Sequence, residues 1–169
     1  MDKKLDNVSY AFYQSPIGLI KIAATDKYIS DVSFHDNTES EIQQPVTMQP
    51  LQIICIEQLI QYFNGERRNF DLPLQQKGTE YQQKVWALLT EIPFGKTISY
   101  LKLAQQMGDI NATRAVANAN GQNKMMLLIP CHRVVGSKGE LTGYAGKLWR
   151  KKWLLEHERK LYHGIQTLF

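Results

Sequence analysis

Alternating hydrophobicity in the first fifth of the chain restricts this segment to a β-sheet. Apolar and polar residues alternate from Val8 to Gln14, again from Leu19 to Ala24, and a third time from Tyr28 to Phe34. The two intervening stretches, Ser15–Gly18 and Thr25–Lys27, have the composition of tight turns. Three short strands joined by tight turns predict an antiparallel meander.

A helical pattern follows the predicted strands, after a polar connection. Apolar residues at positions 51, 54, 55, 59, 62 and 63 recur with the spacing of one helix face, and Asn64-Gly65 ends the pattern. Cys55 lies on this stripe, and we interpret it as a core residue. The sheet and the helix predict an N-terminal domain over residues 1–76, which ends in an extended linker beginning near Arg67.

The remaining residues, 77–169, have the pattern of several short helices. A Thr-x-x-Gln capping box at Thr79 opens a helix that extends to about Glu91. Tyr100–Met107 and Ala112–Asn120 predict two short helices joined by a glycine-containing turn, which is typical of a helix-turn-helix. Helical hairpins also occur in proteins that bind no DNA, so the pattern alone leaves both interpretations open.

The end of the chain completes this second domain. Val134-Val135 and the turn at residues 136–139 predict a small hairpin, or wing, and a last helix is predicted from about Leu148 to Tyr162. The expected fold is therefore α+β in two domains. The N-terminal domain is an antiparallel sheet plus a helix, and the C-terminal domain resembles a winged helix-turn-helix.

Charge is distributed unequally between the two predicted domains. The net charge of the chain is +4, but residues 1–76 hold six Lys/Arg and ten Asp/Glu, whereas residues 77–169 hold fourteen and six. The halves thus carry −4 and +8. A basic half of this size favours a polyanionic partner such as nucleic acid. The alternative is a solvated basic surface with no partner.

Composition excludes several classes of function. Two cysteines do not form a disulfide framework, and four histidines without a close cluster do not predict a metal site, so we expect no metal and no cofactor. No apolar run is long enough to span a bilayer, and the polar residues 1–6 lack the core of a signal peptide. The expected location is the reducing cytoplasm, where Cys131 stays a free thiol.

The run from Ile129 to Val135 contains the most reactive side chain of the C-terminal half. Cys131 follows Pro130, which favours an extended, turn-forming path, and it precedes His132. A thiolate is a strong nucleophile, and cationic or hydrogen-bonding neighbours lower a thiol's pKa. The alternative is an inert buried cysteine beside a surface histidine, because neighbouring residues on a strand point to opposite faces.

A carboxylate lies on the apolar stripe of the last predicted helix. Glu158 shares this stripe with Lys151, Leu154 and Leu155 by helical spacing. A buried carboxylate needs a partner. A histidine near Cys131 would complete a relay of thiol, imidazole and carboxylate. The alternative places Glu158 in water at the edge of the stripe.

These residues resemble a known family, the O6-alkylguanine-DNA alkyltransferases. The segment Pro130-Cys131-His132-Arg133-Val134 is similar to the signature of that family, and the resemblance extends from Tyr81 to Glu158. The N-terminal domain resembles the family's ribonuclease H-like domain. The further matching segments are Phe94-Gly95, Ile98-Ser99-Tyr100, Ala112-x-Arg114-Ala115-Val116, Asn123, Gly143-Tyr144-x-Gly146 and Trp153-Leu154-Leu155-x-His157-Glu158.

The resemblance implies chemical roles for individual residues. Cys131 is expected to accept the alkyl group, with His132 as a base acting through a water and Glu158 as the group that orients it. Asn123 resembles a hinge between the recognition helix and the active-site turn. The remaining catalytic positions are Tyr100, which rotates the phosphate and helps guanine to leave, and Lys151, near the leaving group.

The resemblance also implies a DNA face and a base pocket. Arg114 resembles the arginine that replaces the extruded nucleotide, and the expected DNA-binding residues beside it are Thr113, Ala115, Asn118 and Tyr100. The expected base pocket comprises Tyr144, Ala145, Gly146 and Val134. Arg150 and Lys152 are expected to be solvated or to face phosphate. Some relatives have serine at the position of Ala145, so the side-chain contact to the guanine oxygen that the resemblance implies is lost in this chain.

The implied function is direct and irreversible transfer of an alkyl group from O6-alkylguanine, and also from O4-alkylthymine, in double-stranded DNA. The expected protein is a monomer in solution that has no membrane partner, and its cooperativity on DNA is left open. Two alternatives remain: a lesion-binding protein that transfers nothing, whose known examples lack the acceptor cysteine, and a cysteine hydrolase that uses Cys131 and His132.

Overall fold

The computed structural model describes residues 7–37, 45 and 47–164. The chain divides into two compact units whose boundary lies between Gln76 and Lys77. Across the described residues, none of the helices is both long enough and apolar enough to cross a membrane.

The N-terminal unit is built on a three-stranded antiparallel meander. Its strands are β1 (Ser9–Ser15), β2 (Gly18–Ala24) and β3 (Ile29–Phe34), in that spatial order. Helix α1 (Pro50–Phe63) packs on β1 and β2. The predicted linker is partly incorporated into this unit, because Leu74 forms a parallel bridge with Ile29. The predicted sheet and helix are confirmed.

Helix α1 buries four residues of the predicted apolar stripe, Cys55, Leu59, Tyr62 and Phe63, but the rest of its buried face differs from the prediction. Ile54 was expected inside, but 40% of its surface is exposed, whereas Gln52 is fully buried. The Gln52 side-chain amide donates to the carbonyl oxygen of Ser9 at 2.9 Å, which ties α1 to β1. Gln58, 7% exposed, exchanges two hydrogen bonds with the backbone of Asp71. Paired amides thus replace isoleucine on the buried face.

The C-terminal unit is a set of helices around a short two-stranded sheet. Helix α2 (Glu80–Thr90) begins at the predicted capping box, where Thr79 and Gln82 each accept from the other's backbone N–H. The elements that follow are β4 (Ile98–Ser99), α3 (Tyr100–Gln106), α4 (Thr113–Gly121), β5 (Val134–Val135) and α5 (Leu148–Tyr162). Helices α3 and α4 form the helix-turn-helix, and α5 carries Glu158.

The predicted hairpin after Val134 is replaced by a parallel pairing. β5 pairs with β4, with Ile98 opposite Val134 and Ser99 opposite Val135. The Gly136–Gly139 turn is closed locally, because Gly136 N–H donates to the carbonyl oxygen of Glu140. This parallel pair connects the start of the helix-turn-helix to the segment that follows Cys131, and so places α3 beside the reactive turn.

Candidate active site

Cys131 begins a single 3₁₀ turn that leads directly into β5. The turn comprises Cys131–Arg133, and only 3% of the cysteine is exposed. Asn123 holds the preceding loop in shape: its side-chain amide donates to the Ile129 carbonyl at 3.0 Å, and its side-chain oxygen accepts from Met125 N–H at 3.1 Å. The side chain of Asn123 also forms a hydrogen bond with the thiol. The thiol therefore lies in a fixed turn immediately ahead of β5.

The adjacent histidine turns towards α5 and contacts the carboxylate. His132 Nε2 lies 2.7 Å from Glu158 Oε1, and both side chains are buried. An ionised carboxylate only accepts hydrogen bonds, so Nε2 carries a proton whether the ring is charged or neutral, and in the neutral ring the free lone pair lies on Nδ1. Among the described residues no group forms a hydrogen bond with His132 Nδ1. The imidazole is therefore oriented with one acceptor nitrogen available for a proton.

Arg133 completes the network from the other side of the carboxylate. Its Nε and Nη2 donate to Glu158 Oε2 and Oε1 at 2.9 Å each, and its Nη1 donates to the carbonyl oxygen of Ile92 at 2.7 Å. Burial opposes ionisation of Glu158, but the charges and hydrogen bonds of His132 and Arg133 keep its pKa well below its usual range. Glu158 is thus a permanently charged anchor. The sequence alternative of a solvated carboxylate is wrong.

Burial determines the resting state of the nucleophile. It raises the pKa of the Cys131 thiol, although the hydrogen bond with Asn123 and the charge of Lys151 act in the opposite direction. Burial lowers the pKa of Lys151 from 10.5 to about 8, and the cysteine partly offsets this effect. The thiol is therefore protonated at neutral pH and needs a base in order to react.

Tyr100 and Lys151 meet at one backbone oxygen near the thiol. The Thr142 carbonyl accepts from Lys151 Nζ at 2.8 Å and from the Tyr100 hydroxyl at 3.1 Å. Burial raises the pKa of Tyr100, so its hydroxyl keeps its proton at neutral pH. Two proton-carrying side chains thus meet at one carbonyl oxygen.

A cavity of about 540 Å³ opens between the second helix of the helix-turn-helix and the loop before α5. Such a volume suits a small aromatic ligand. Arg114 lies at its edge and is exposed. The residues that line the cavity are Tyr100, Thr113, Arg114, Ala117, Gly121, Thr142, Gly143, Tyr144 and Ala145.

Comparison with known proteins matches both units to one family. Residues 80–160 match the 6-O-methylguanine DNA methyltransferase DNA binding domain, and residues 8–76 match the ribonuclease-like domain of the same protein. A methylated-DNA–protein-cysteine methyltransferase from Mycolicibacterium paratuberculosis is 41% identical over 96% of this chain and 99% of its own length. The chain belongs to the 6-O-methylguanine DNA methyltransferase family.

Solved members of this methyltransferase family have the same two-domain fold. The crystal structure of the Mycobacterium tuberculosis O6-methylguanine methyltransferase has a TM-score of 0.80 and 37% identity, and it covers 91% of this chain and 94% of its own. A structure of Mycobacterium tuberculosis OGT in complex with DNA has a TM-score of 0.81 and 39% identity, with 90% and 93% coverage. The predicted fold class is confirmed.

The structure distributes the residues predicted from the methyltransferase resemblance between the cavity and its surroundings. Tyr100, Thr113, Arg114, Tyr144 and Ala145 line the cavity. The other predicted residues lie outside its lining. Of these, Ala115 and Asn118 are exposed on α4, and Gly146, Val134, Lys151 and Asn123 are buried.

Two basic residues of α5 differ from each other in environment. Lys152 is exposed, as expected, but Arg150 is 3% exposed and donates from Nη1 to the carbonyl oxygen of Gly146 at 3.2 Å. The expectation that Arg150 is solvated is therefore wrong. Within the part of the chain that the structure describes, no group of three or more His, Cys, Asp or Glu side chains could hold a metal ion.

Proposed function

We propose that this protein repairs DNA directly, by moving the alkyl group of O6-alkylguanine onto Sγ of Cys131. This activity is that of a methylated-DNA–protein-cysteine S-methyltransferase, and its relatives are named methylated-DNA–protein-cysteine methyltransferases. The observation that carries the assignment is the buried contact between His132 and Glu158 beside Cys131, at 2.7 Å. It supplies a base for a thiol that burial keeps protonated.

The proton of the thiol is the first to move. His132 Nδ1 takes it through one water, while Glu158 stabilises the imidazolium that forms. Sγ then attacks the alkyl carbon in line with the C–O6 bond. The S–C bond forms as the C–O6 bond breaks, and the electron pair of the broken bond passes into the guanine ring. The products are a thioether and guanine, once guanine has gained one proton.

Tyr100 and Lys151 are the groups that assist guanine to leave. Both carry protons at neutral pH, and both donate to the Thr142 carbonyl beside the cavity. A base that enters the cavity would meet the Tyr100 hydroxyl in its lining. We assign proton donation to Tyr100 and stabilisation of the developing negative charge to Lys151.

The substrate base has to leave the duplex, because its reacting atom is inaccessible in the base stack. A cavity beside an exposed Arg114 suits base extrusion, since the base can occupy the cavity while the arginine fills the gap in the duplex. Thr113, Ala115 and Asn118 lie on the same helix and would contact the neighbouring DNA.

Tyr144 and Ala145 would border the base, with Gly146 and Val134 behind them. We assign O4-alkylthymine as a further substrate.

The thioether product is stable to water, so each molecule reacts once. We assign a monomeric form, since alkyl transfer needs only side chains of the C-terminal unit. The requirement for a free thiol at Cys131 favours a reducing compartment, the cytoplasm.

The test is intact mass after incubation with a duplex oligonucleotide that contains one O6-methylguanine. The wild type should gain one methyl group, localised to Cys131 by peptide mapping, and should stop after one equivalent. Cys131→Ser should bind the lesion and gain nothing. Repeated turnover, or an unchanged mass in the wild type, contradicts the proposal. Lesion binding without transfer by the wild type would favour the lesion-binding alternative, against which the presence of Cys131 argues.

A further inference from the structure

Asn120 is a buried polar residue whose function the alkyl-transfer steps leave unassigned. It occupies the last turn of α4, the helix that contributes Arg114 to the cavity, and only 2% of it is exposed. Its side-chain Nδ2 donates to the main-chain carbonyl of Cys131 at 3.3 Å. One side chain therefore joins the DNA-facing helix to the backbone of the alkyl acceptor.

The same side chain faces the Tyr100 hydroxyl. Burial raises the pKa of Tyr100, and the interactions of its hydroxyl with Thr142 and Asn120 oppose that rise. Asn120 thus stands between the residue that receives the alkyl group and the residue that donates a proton to guanine.

The end of α4 does not need this side chain for its own stability. Trp86 Nε1 donates to the carbonyl oxygen of Ala119 at 2.8 Å, and the backbone N–H of Gln122 donates to those of Asn118 and Ala119. The helix terminus is therefore already satisfied by backbone and tryptophan.

Asn120 also leaves one polar atom unpaired. Its Oδ1 is buried, and no described group forms a hydrogen bond with it. Burial of an acceptor without a hydrogen-bond partner is unfavourable. A residue chosen only for packing would be apolar at this position, so the amide is retained for what its donor group does.

We propose that Asn120 is a positioning residue for alkyl transfer, which fixes the Cys131 backbone and the Tyr100 hydroxyl relative to each other at the end of α4. This inference rests on the proposed function. It extends that function by naming the group that aligns nucleophile and acid.

The test uses single-turnover transfer from the free base O6-benzylguanine, so that effects on DNA binding are absent. Asn120→Leu keeps the approximate volume but removes the amide. Its rate constant should fall about tenfold at neutral pH, the size of one lost hydrogen bond in the transition state. In a Lys151→Met background, which removes the titration of Lys151 near pH 8, Asn120→Leu should move the alkaline limb of the pH–rate profile to higher pH, because the amide no longer lowers the pKa of Tyr100.

A second variant and a matched control separate alignment from general damage. In a Tyr100→Phe background, Asn120→Leu should leave the alkaline limb of the pH–rate profile unchanged. It should also reduce the rate constant for transfer by less than it does in the wild type. Asn111→Leu, which changes an exposed asparagine, should transfer at the wild-type rate. If Asn120→Leu fails to fold, Asn120→Ser provides the same comparison.

The outcomes distinguish this inference from the proposed function. A wild type that transfers no benzyl group contradicts the function itself. A wild type that transfers normally, with an Asn120→Leu variant that matches it at every pH, contradicts only the role of Asn120. A loss that is equal at all pH values and additive with Tyr100→Phe also overturns it, since that pattern indicates simple structural damage.

Discussion

Arg133 donates a hydrogen bond to each carboxylate oxygen of Glu158, at 2.9 Å, while His132 contacts one of the same oxygens at 2.7 Å. Consecutive side chains of one 3₁₀ turn therefore converge on a single carboxylate. The arginine neutralises a buried charge that the histidine alone would have to balance.

Arg133→Met should destabilise the protein by about 3–5 kcal/mol, because it leaves a buried carboxylate without its principal counter-charge. Urea unfolding measures this change. The control is Lys84→Met, which removes the exposed ion pair with Glu80 and should change the free energy of unfolding by less than about 0.5 kcal/mol. Equal effects of the two substitutions would contradict the importance of the buried pair.

Lys151 should give the protein a distinctive dependence of stability on pH. Its pKa is about 8 in the folded protein and 10.5 ordinarily, so between these values the unfolded chain binds more protons and stability rises with pH. Lys151→Met should remove this rise and be more stable than its parent at pH 7, by about 2 kcal/mol. It should also transfer alkyl groups more slowly.

Urea unfolding from pH 7 to 10.5 measures the effect, with both proteins in a Cys131→Ser background. That background eliminates the titration of the thiol, whose raised pKa acts on stability in the opposite direction. Parallel stability curves for the two proteins would show that the lysine does not titrate in this range.

Substitution of Gly95 should destabilise the protein more than substitution of Gly108, which has a similar backbone conformation. It has a φ of +79°, its N–H donates to Glu158 Oε2 at 3.4 Å, and a Cβ there would overlap the Tyr162 side chain. Gly108, with φ +88°, has open space around it. Gly95→Ala should lower the free energy of unfolding by about 3 kcal/mol, and Gly108→Ala should lower it by about 1 kcal/mol. Thermal unfolding measures both changes.

Arg114→Ala should weaken binding to lesion-containing duplex while leaving transfer from free O6-benzylguanine near the wild-type rate. Its side chain is exposed at the edge of the cavity, where it can reach DNA but is not needed for the chemistry. Binding is measured by fluorescence anisotropy of the Cys131→Ser protein over a range of salt concentrations. Affinity that does not fall with salt would contradict the basic half as the DNA face.

Local patterns predicted most of the helices and strands correctly. The capping box at Thr79 and the turn after Ser15 act over a few residues, so their outcome is visible in the sequence. Helical spacing also placed Glu158 on the apolar stripe of the last helix, although it left open a solvated position at the edge of that stripe. Its partner Arg133 was missed as a functional residue, although it lies within the signature, because a surface arginine and a buried one look alike in sequence.

The errors arise where distant segments meet. Val134 pairs with Ile98, which lies 36 positions earlier, and nothing local indicates this parallel register. Gln52 is buried because Ser9 offers it an acceptor, so the face of α1 that turns inwards could not be read from hydrophobicity alone. Arg150 is enclosed for the same reason, since the Gly146 carbonyl binds it.

The enclosure of Cys131 has a consequence for the time before any lesion is met. Peroxide, glutathione disulfide and other electrophiles attack exposed thiolates, whereas only 3% of Cys131 is exposed and its thiol holds its proton at rest. A protein that reacts only once is lost whenever its sulfur is oxidised by accident. Burial of the thiol thus protects unreacted molecules from oxidation, and the sulfur becomes reactive only when a lesion is bound.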